Sequence, residues 1–231
     1  MKEYTALDKR LTAVYELVRS GSRVADIGAD HGYLVCALVQ RGKCPGGFAC
    51  DINSQPLEKS RKTIVRAGLS EQIVPVLADG LAGIAPLSVE DIVIAGMGGE
   101  QIAAILEQAG WCFDPRYHMV LQPMTKTSFL RRWLCENGFE IHREIPVEQG
   151  KFAYTVLSVS WTGQKTQPDR LFQLVGKIPQ SQYAARDRYL MIQRDRLRKQ
   201  AQGLNRGRQG GDEAKQLQEL ADEIHRLISE K

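Results

Sequence analysis

A chain of 231 residues with 43% hydrophobic and 25% charged content has room for one domain with a sizeable core plus an appendage. No apolar run approaches the thickness of a bilayer, and MKEYTALDKR does not read as a signal peptide, so a cytoplasmic protein without a membrane span is expected. Five cysteines without a C-x-x-C pair and four scattered histidines point to reduced thiols and to no metal site. The net charge of +4 is uneven: residues 163–231 carry 14 basic and 9 acidic side chains, residues 1–162 carry 17 and 18.

In chain order, Thr5 to Val18 reads as an amphipathic helix with Thr5 or Asp8 as its cap. Val24 to Ile27 is a short buried strand. Tyr33 to Arg41 is a helix ended by Gly42, and Gly47 to Ile52 is the second strand. Pro56 sits in the first turn of a helix that stops at Gly68. Ile73 to Ala78 is strand three, closed by Asp79-Gly80. Asp91 to Ala95 is strand four, Glu100 to Gln108 a helix, and His118 to Gln122 strand five. Ser128 caps a helix running to Asn137. Phe139 to Pro146 and Phe152 to Trp161 form an antiparallel hairpin joined by residues 147–151. Strands alternating with helices mean a parallel sheet, and the closing hairpin suggests seven strands with one antiparallel. Pro168 to Pro179 is a connector with a short helix. Ser181 to Ala201, a breaker NRGRQGG at residues 205–211, and a second helix capped by Asp212 make an antiparallel helical hairpin with heptad-like leucines. The expected division is a catalytic domain over 1–162 and a helical, coiled-coil domain over 163–231.

The stretch with most chemical information is RVADIGADHGY, Arg23 to Tyr33. It runs from a strand through a glycine turn into a helix, and in open α/β sheets the carboxyl end of such a strand borders the ligand crevice. Gly28 and Gly32 let the backbone turn sharply and a ligand come close. A dinucleotide turn would read G-x-G-x-x-G. Here the pattern is D-x-G-x-D-x-G, whose carboxylates repel phosphate and suit a cationic amino-acid end such as that of S-adenosylmethionine (SAM). Asp51 ends the second strand, 25 residues after Asp26, where an acidic residue takes a ribose hydroxyl pair. The competing readings are a turn cap for Asp26 and a solvated strand end for Asp51.

RVADIGADHGYL, ACDI, LADGL, IVIAGMGG and LQP together resemble the bacterial tRNA adenine-N1 methyltransferase family that modifies adenine 22. The likeness covers about Leu7 to Trp161. It departs at Val35, where the family pattern has proline after Tyr-Leu. The resemblance implies a seven-stranded Rossmann-like SAM methyltransferase fold with a tRNA partner. It implies that Asp26, Gly28 and Gly32 surround the methionine part of SAM, that Asp51 and Ile52 hold ribose and adenine, and that Asp79 with Gly80 meets the adenine amine, although Asp79-Gly80 reads equally as a plain turn. Gly96 then lies beside the reactive methyl.

Adenine N1 has a lone pair in the neutral base, so methylation needs no prior deprotonation, and the product ring is cationic. Asp30 is the candidate for stabilising that charge. His31 could position the base and Tyr33 stack on it; a satisfied ring beside a helix start and ordinary core packing are the respective alternatives. Amine-methylating enzymes carry an N/D-P-P-Y/F segment after strand four. Here it reads Ala95-Gly96-Met97-Gly98-Gly99, which favours a ring nitrogen. Met97, Gly98, Gly99, Gln122 and Pro123 are the candidate walls of the base pocket, and N1 lies on the pairing edge, so the base must be unpaired or flipped. Lys9 and Arg10 near the entrance, and Arg194, Arg196 and Arg198 in the tail, are candidates for RNA phosphate, or else solvated helix faces. The rival functions are a methyltransferase of a small molecule or protein, a nicotinamide-dependent oxidoreductase, and a non-catalytic RNA-binding protein.

Overall fold

In the computed structural model, residues 5–205 and 211–229 are described. Strands β1 (Val24–Ile27), β2 (Gly47–Asp51), β3 (Ile73–Leu77), β4 (Asp91–Gly98), β5 (His118–Thr125), β6 (Phe139–Gln149) and β7 (Phe152–Trp161) form one sheet in the order 3-2-1-4-5-7-6. Strands β1 to β5 pair in parallel, and β7 is antiparallel to both β5 and β6. The two faces follow from the alternation of side chains along each strand. Val24, Ala49, Val93 and Val120 pack with helices α1 (Lys9–Leu17), α2 (Tyr33–Gln40) and α3 (Ser54–Ala67). Ala25, Ile27, Ile92, Ile94 and Met119 pack with α4 (Gly99–Gln108) and α5 (Thr127–Glu136).

Several boundaries differ from those read in the sequence. α1 starts at Lys9 because Asp8 accepts the Leu11 amide at 2.8 Å. β4 and β5 extend to Gly98 and Thr125 because they stay paired past a bulge that leaves Gly96 without a register partner. α5 starts two residues earlier than a Ser128 cap requires; Lys126, at φ 56°, takes the cap position without a side-chain hydrogen bond. β6 continues to Gln149 while β7 starts at Phe152 as read, so the connection is only Gly150-Lys151, with Gly150 at φ 60°.

At the amino ends of the strands, Asp91 is fully buried. It accepts the Arg19 amide and Nε at 2.8 and 2.7 Å and contacts His118 Nδ1 at 3.1 Å. Burial alone would raise its pKa, but the bonds from His118 and Arg19 hold it below the usual carboxylate range. All five cysteines are free and buried. Burial pushes the thiols of Cys36, Cys50 and Cys112 up to about 12, so they stay protonated and unreactive.

Beyond the sheet, α6 (Arg170–Val175), α7 (Arg186–Asn205) and α8 (Gly211–Ser229) share a third core of Val175, Tyr189, Leu190, Leu197, Leu217, Ala221 and Ile224. α7 and α8 are antiparallel: Arg186 donates to the Leu227 carbonyl and Arg198 to Asp222. The helix expected from Ser181 starts only at Arg186. Its guanidinium turns back to the Pro179 carbonyl at 2.8 Å, and Tyr183, placed in the heptad seam by its spacing, instead bonds Glu16 and Arg143. α8 starts at Gly211, with Asp212 in its first turn. Most of the expected glycine breaker, with Arg206 and Arg208, lies outside the described residues.

The helices are fastened to the sheet by a buried ion pair. Arg131 of α5 and Glu144 of β6 are fully buried and joined by two bonds of 3.0 and 2.7 Å. Arg131 also donates to the carbonyls of Gln173 and Leu174 and to the Tyr189 hydroxyl. The pair is a bidentate fork with its remaining donors satisfied, the condition under which burying two charges is tolerated. A side chain at Gly176 would run into Glu144, which accounts for the glycine there.

Candidate active site

The carboxyl ends of β1, β2 and β4 meet at one edge of the sheet. The turn after β1 bonds to β2 through the Gly28 and Ala29 amides, which both donate to the Cys50 carbonyl at 2.9 and 3.0 Å. Gly28, Asp30 and Gly32 have φ of 72°, 49° and 67°. Three left-handed residues in five make a tightly coiled turn, and Asp30 bears a cost of about 1–2 kcal/mol in that conformation. Ser60 of α3 donates to the Asp30 carbonyl at 2.9 Å, and a Cβ on Gly32 would crowd Ser60 at 3.2 Å. Gly32 therefore admits α3, and Ser60 holds the turn; its distance along the chain hid this role.

The Asp30 carboxylate is 64% exposed and lies 3.6 Å from His31 Nε2. The His31 and Tyr33 rings stack at 5.0 Å with 7° between their planes. Tyr33 is 42% exposed, so it is not core, and one of its faces is already covered by His31.

Asp26 is buried beneath the turn. Burial pushes its carboxyl up to about 7, partly offset by a hydrogen bond from the Val35 amide. It lies against the first turn of α2 and presents little surface to a ligand. Proline at position 35 would lack that amide, so the departure at Val35 bears on Asp26 as well as on the helix start. Asp51 is nearly buried and accepts the Asn53 amide on Oδ1 at 2.9 Å; among the described residues Oδ2 takes no hydrogen bond. Beside it Ile52 and Leu77 expose 59% and 58% of their surface, an apolar pair at the ends of β2 and β3 of which the sequence had singled out only Ile52. Asp79 is exposed, its carbonyl closes a turn with the Ala82 amide, and it borders a cavity of about 290 Å³ with Leu81, Ile105 and Trp111. Gly80, at φ 55°, packs against Ile105.

At the end of β4, Gly96 has φ 81°, and an added Cβ would meet nothing within 4 Å. Its amide donates to Gln122 Oε1 at 3.1 Å. Met97 folds its methyl over Gly28, so Gly28 makes room for Met97 as well as turning the chain. Gly98 and Gly99 admit Thr125 and the Lys126 carbonyl instead of open space.

The expectations for Gln122, Pro123, Arg10, Arg194 and Arg198 change here. Gln122 and Pro123 are buried inside β5 and line no open pocket, because β5 runs on to Thr125. The junction after them, from Met124 at the end of β5 to Ser128 in α5, lines a cleft against α7 instead. Arg10 is not free for phosphate: it donates to Gln149 Oε1 at 2.9 Å and Gln122 Oε1 at 3.2 Å and pairs with Asp8. Lys9 is exposed. In α7, Arg194 is shared with Asp195 and Arg198 with Asp222, whereas Arg196 has no ion pair among the described residues. Also among those residues, no three metal-ligating side chains are gathered and no helix is long and apolar enough to cross a membrane.

A family model described as a methyltransferase domain matches residues 7–157. The Bacillus subtilis tRNA (adenine(22)-N(1))-methyltransferase is 34% identical over 65% of this chain and 63% of its own length. The chain belongs to this methyltransferase-domain family. The crystal structure of the B. subtilis m1A22 tRNA methyltransferase superposes with a TM-score of 0.82 at 27% identity, covering 98% of both chains. A Streptococcus pneumoniae structure in complex with S-adenosyl-L-methionine gives 0.82 at 28% identity, covering 96% of this methyltransferase and all of that chain. The helical hairpin is thus part of the shared fold.

Proposed function

We propose that this methyltransferase moves a methyl group from SAM to N1 of adenine 22 in tRNA. The observation that carries the reading is the end of β4. Gly96 faces open space between the acidic β1 turn and the β5 loop, so a methyl donor and a flat base can meet there from opposite sides.

The chain's residues fit SAM chemically. Asp51 keeps one carboxylate oxygen for the ribose hydroxyls, and Ile52 and Leu77 offer apolar faces to the adenine. The coiled turn at Gly28 to Gly32 cradles the methionine part, with Asp26 as the buried counter-charge beneath it. SAM supplies an activated methyl on a sulfonium. The protein's task is alignment of an in-line displacement. Asp30 faces the charge that grows on the base, and the stacked pair of His31 and Tyr33 offers an aromatic edge to an extruded purine. Residues 1–162 act as the catalytic unit and residues 163–231 grip RNA, in the cytoplasm.

Isothermal titration with SAM and with a nicotinamide dinucleotide, followed by transfer of labelled methyl to unmodified tRNA, tests this. Heat with SAM and label in tRNA support the reading; heat only with the dinucleotide overturns it.

A further inference from the structure

Between the β5–α5 loop and α7 lies a cleft of about 330 Å³, at the lower end of ligand-pocket sizes. Thr125, Lys126 and Ser128 form one wall and Tyr154, Gln193 and Arg196 another. Its wall is tied to the end of β4, two to three residues past Gly96, because Gly98 pairs with Thr125 and Gly99 abuts the Lys126 carbonyl.

Three observations give its chemistry. The lining holds two cations, Lys126 and Arg196, and no carboxylate; Lys126 Nζ pairs at 3.8 Å with Glu100 outside the lining, and both side chains are largely exposed, so that pair is weak. The ten-residue helix α5 points its amino end here with no side chain capping it, so the amides of its first turn are free for an anion. Gln193 is nine-tenths buried, lines the cleft, and makes no hydrogen bond among the described residues. Its amide atoms are not sealed from solvent, so they stay open to a polar group entering the cleft.

We propose that this cleft binds a backbone phosphodiester of the RNA strand next to the extruded adenine, with Lys126 and Arg196 pairing its charge and the Gln193 amide donating to it. This rests on the tRNA reading above and deepens it. The hairpin then builds part of the substrate site instead of gripping RNA only at a distance, and Arg196 matters more than Arg194 or Arg198.

The test uses the full-length protein with Gln193→Leu, Arg196→Gln and Lys126→Gln, plus Arg194→Gln as a comparison. Anisotropy with fluorescent unmodified tRNA gives affinity across a salt series, kinetics gives KM and kcat, and titration with SAM reports an intact fold. Each cleft variant should weaken tRNA binding about five- to tenfold, with SAM affinity unchanged. Arg196→Gln and Lys126→Gln should each lower the slope of log affinity against log salt by about one, the signature of one lost phosphate contact. Gln193→Leu should leave that slope alone. Arg194→Gln should do little. Unchanged tRNA affinity and salt slope in the Arg196 and Lys126 variants overturn the proposal. Wild-type protein that binds tRNA through these residues without methylating it sinks the enzymatic reading and leaves the cleft standing.

Discussion

The side-chain oxygen of Gln122 accepts the Gly96 amide at 3.1 Å and Arg10 Nη1 at 3.2 Å. One buried amide on β5 thus fixes the backbone facing the reaction centre and ties it to the first helix. Gln122→Leu removes the acceptor from both donors, a loss of about 1–3 kcal/mol, or roughly 5- to 150-fold in kcat/KM. Gln122→Glu keeps the acceptor and should recover part of the activity. Equal loss in both variants would remove the positioning role from this oxygen.

Asp30→Ala would confound chemistry with strain, because Asp30 sits at φ 49°. Asparagine tolerates that backbone and deletes only the charge. Asp30→Asn should lower kcat by about tenfold or more, while the SAM dissociation constant moves less than about threefold. Full activity in this variant would show that the charge takes no part in the reaction.

Asp26 gives a pH signature with a defined sign. Its folded pKa is raised to about 7 from 3.8. Below pH 4 both states hold the proton and the group contributes nothing. Between about 4 and 7 the unfolded chain loses it first, so stability falls as pH rises, and above 7 the penalty is constant. Asp26→Asn should therefore gain stability over the wild type progressively across that range, read by urea unfolding. SAM affinity of the wild type should rise from pH 6 to 8, because a cationic ligand favours the ionised carboxylate, and the variant should be flat.

The Arg131–Glu144 pair should be expensive to break on one side. Burial alone would lower the Arg131 pKa, but Glu144 and Tyr189 hold it above its ordinary value. Glu144→Gln leaves a buried guanidinium half-paired and should cost about 3–5 kcal/mol, seen as a lower Tm and looser packing of α7. Glu144→Leu combined with Arg131→Met should cost less than the two single changes added together.

Much of the architecture was readable because several parallel strands are short apolar runs beside glycine or proline, as at Val24 to Ile27 before Gly28. The acidic turn and Asp51 were readable for the same reason: their positions relative to strand ends follow from local pattern. What escaped depends on partners distant in the chain. The bulge at Gly96 exists only against β5, so the extension of both strands had no local signal. Arg10 looked like a free cation because Gln122 and Gln149 lie 112 and 139 residues away. Arg131 and Glu144 are ordinary surface residue types until the fold buries them together. The cleft between the start of α5 and α7 had no signal in the sequence, because its walls come from segments far apart in the chain.

The most direct test of the account is the position and atom of methylation. Unmodified tRNA incubated with the protein and SAM, then digested and read by mass spectrometry, should contain 1-methyladenosine at position 22. A tRNA carrying guanine there should stay unmodified at that site. Methyl on the exocyclic amine, on another nucleotide, or on no RNA at all would contradict it.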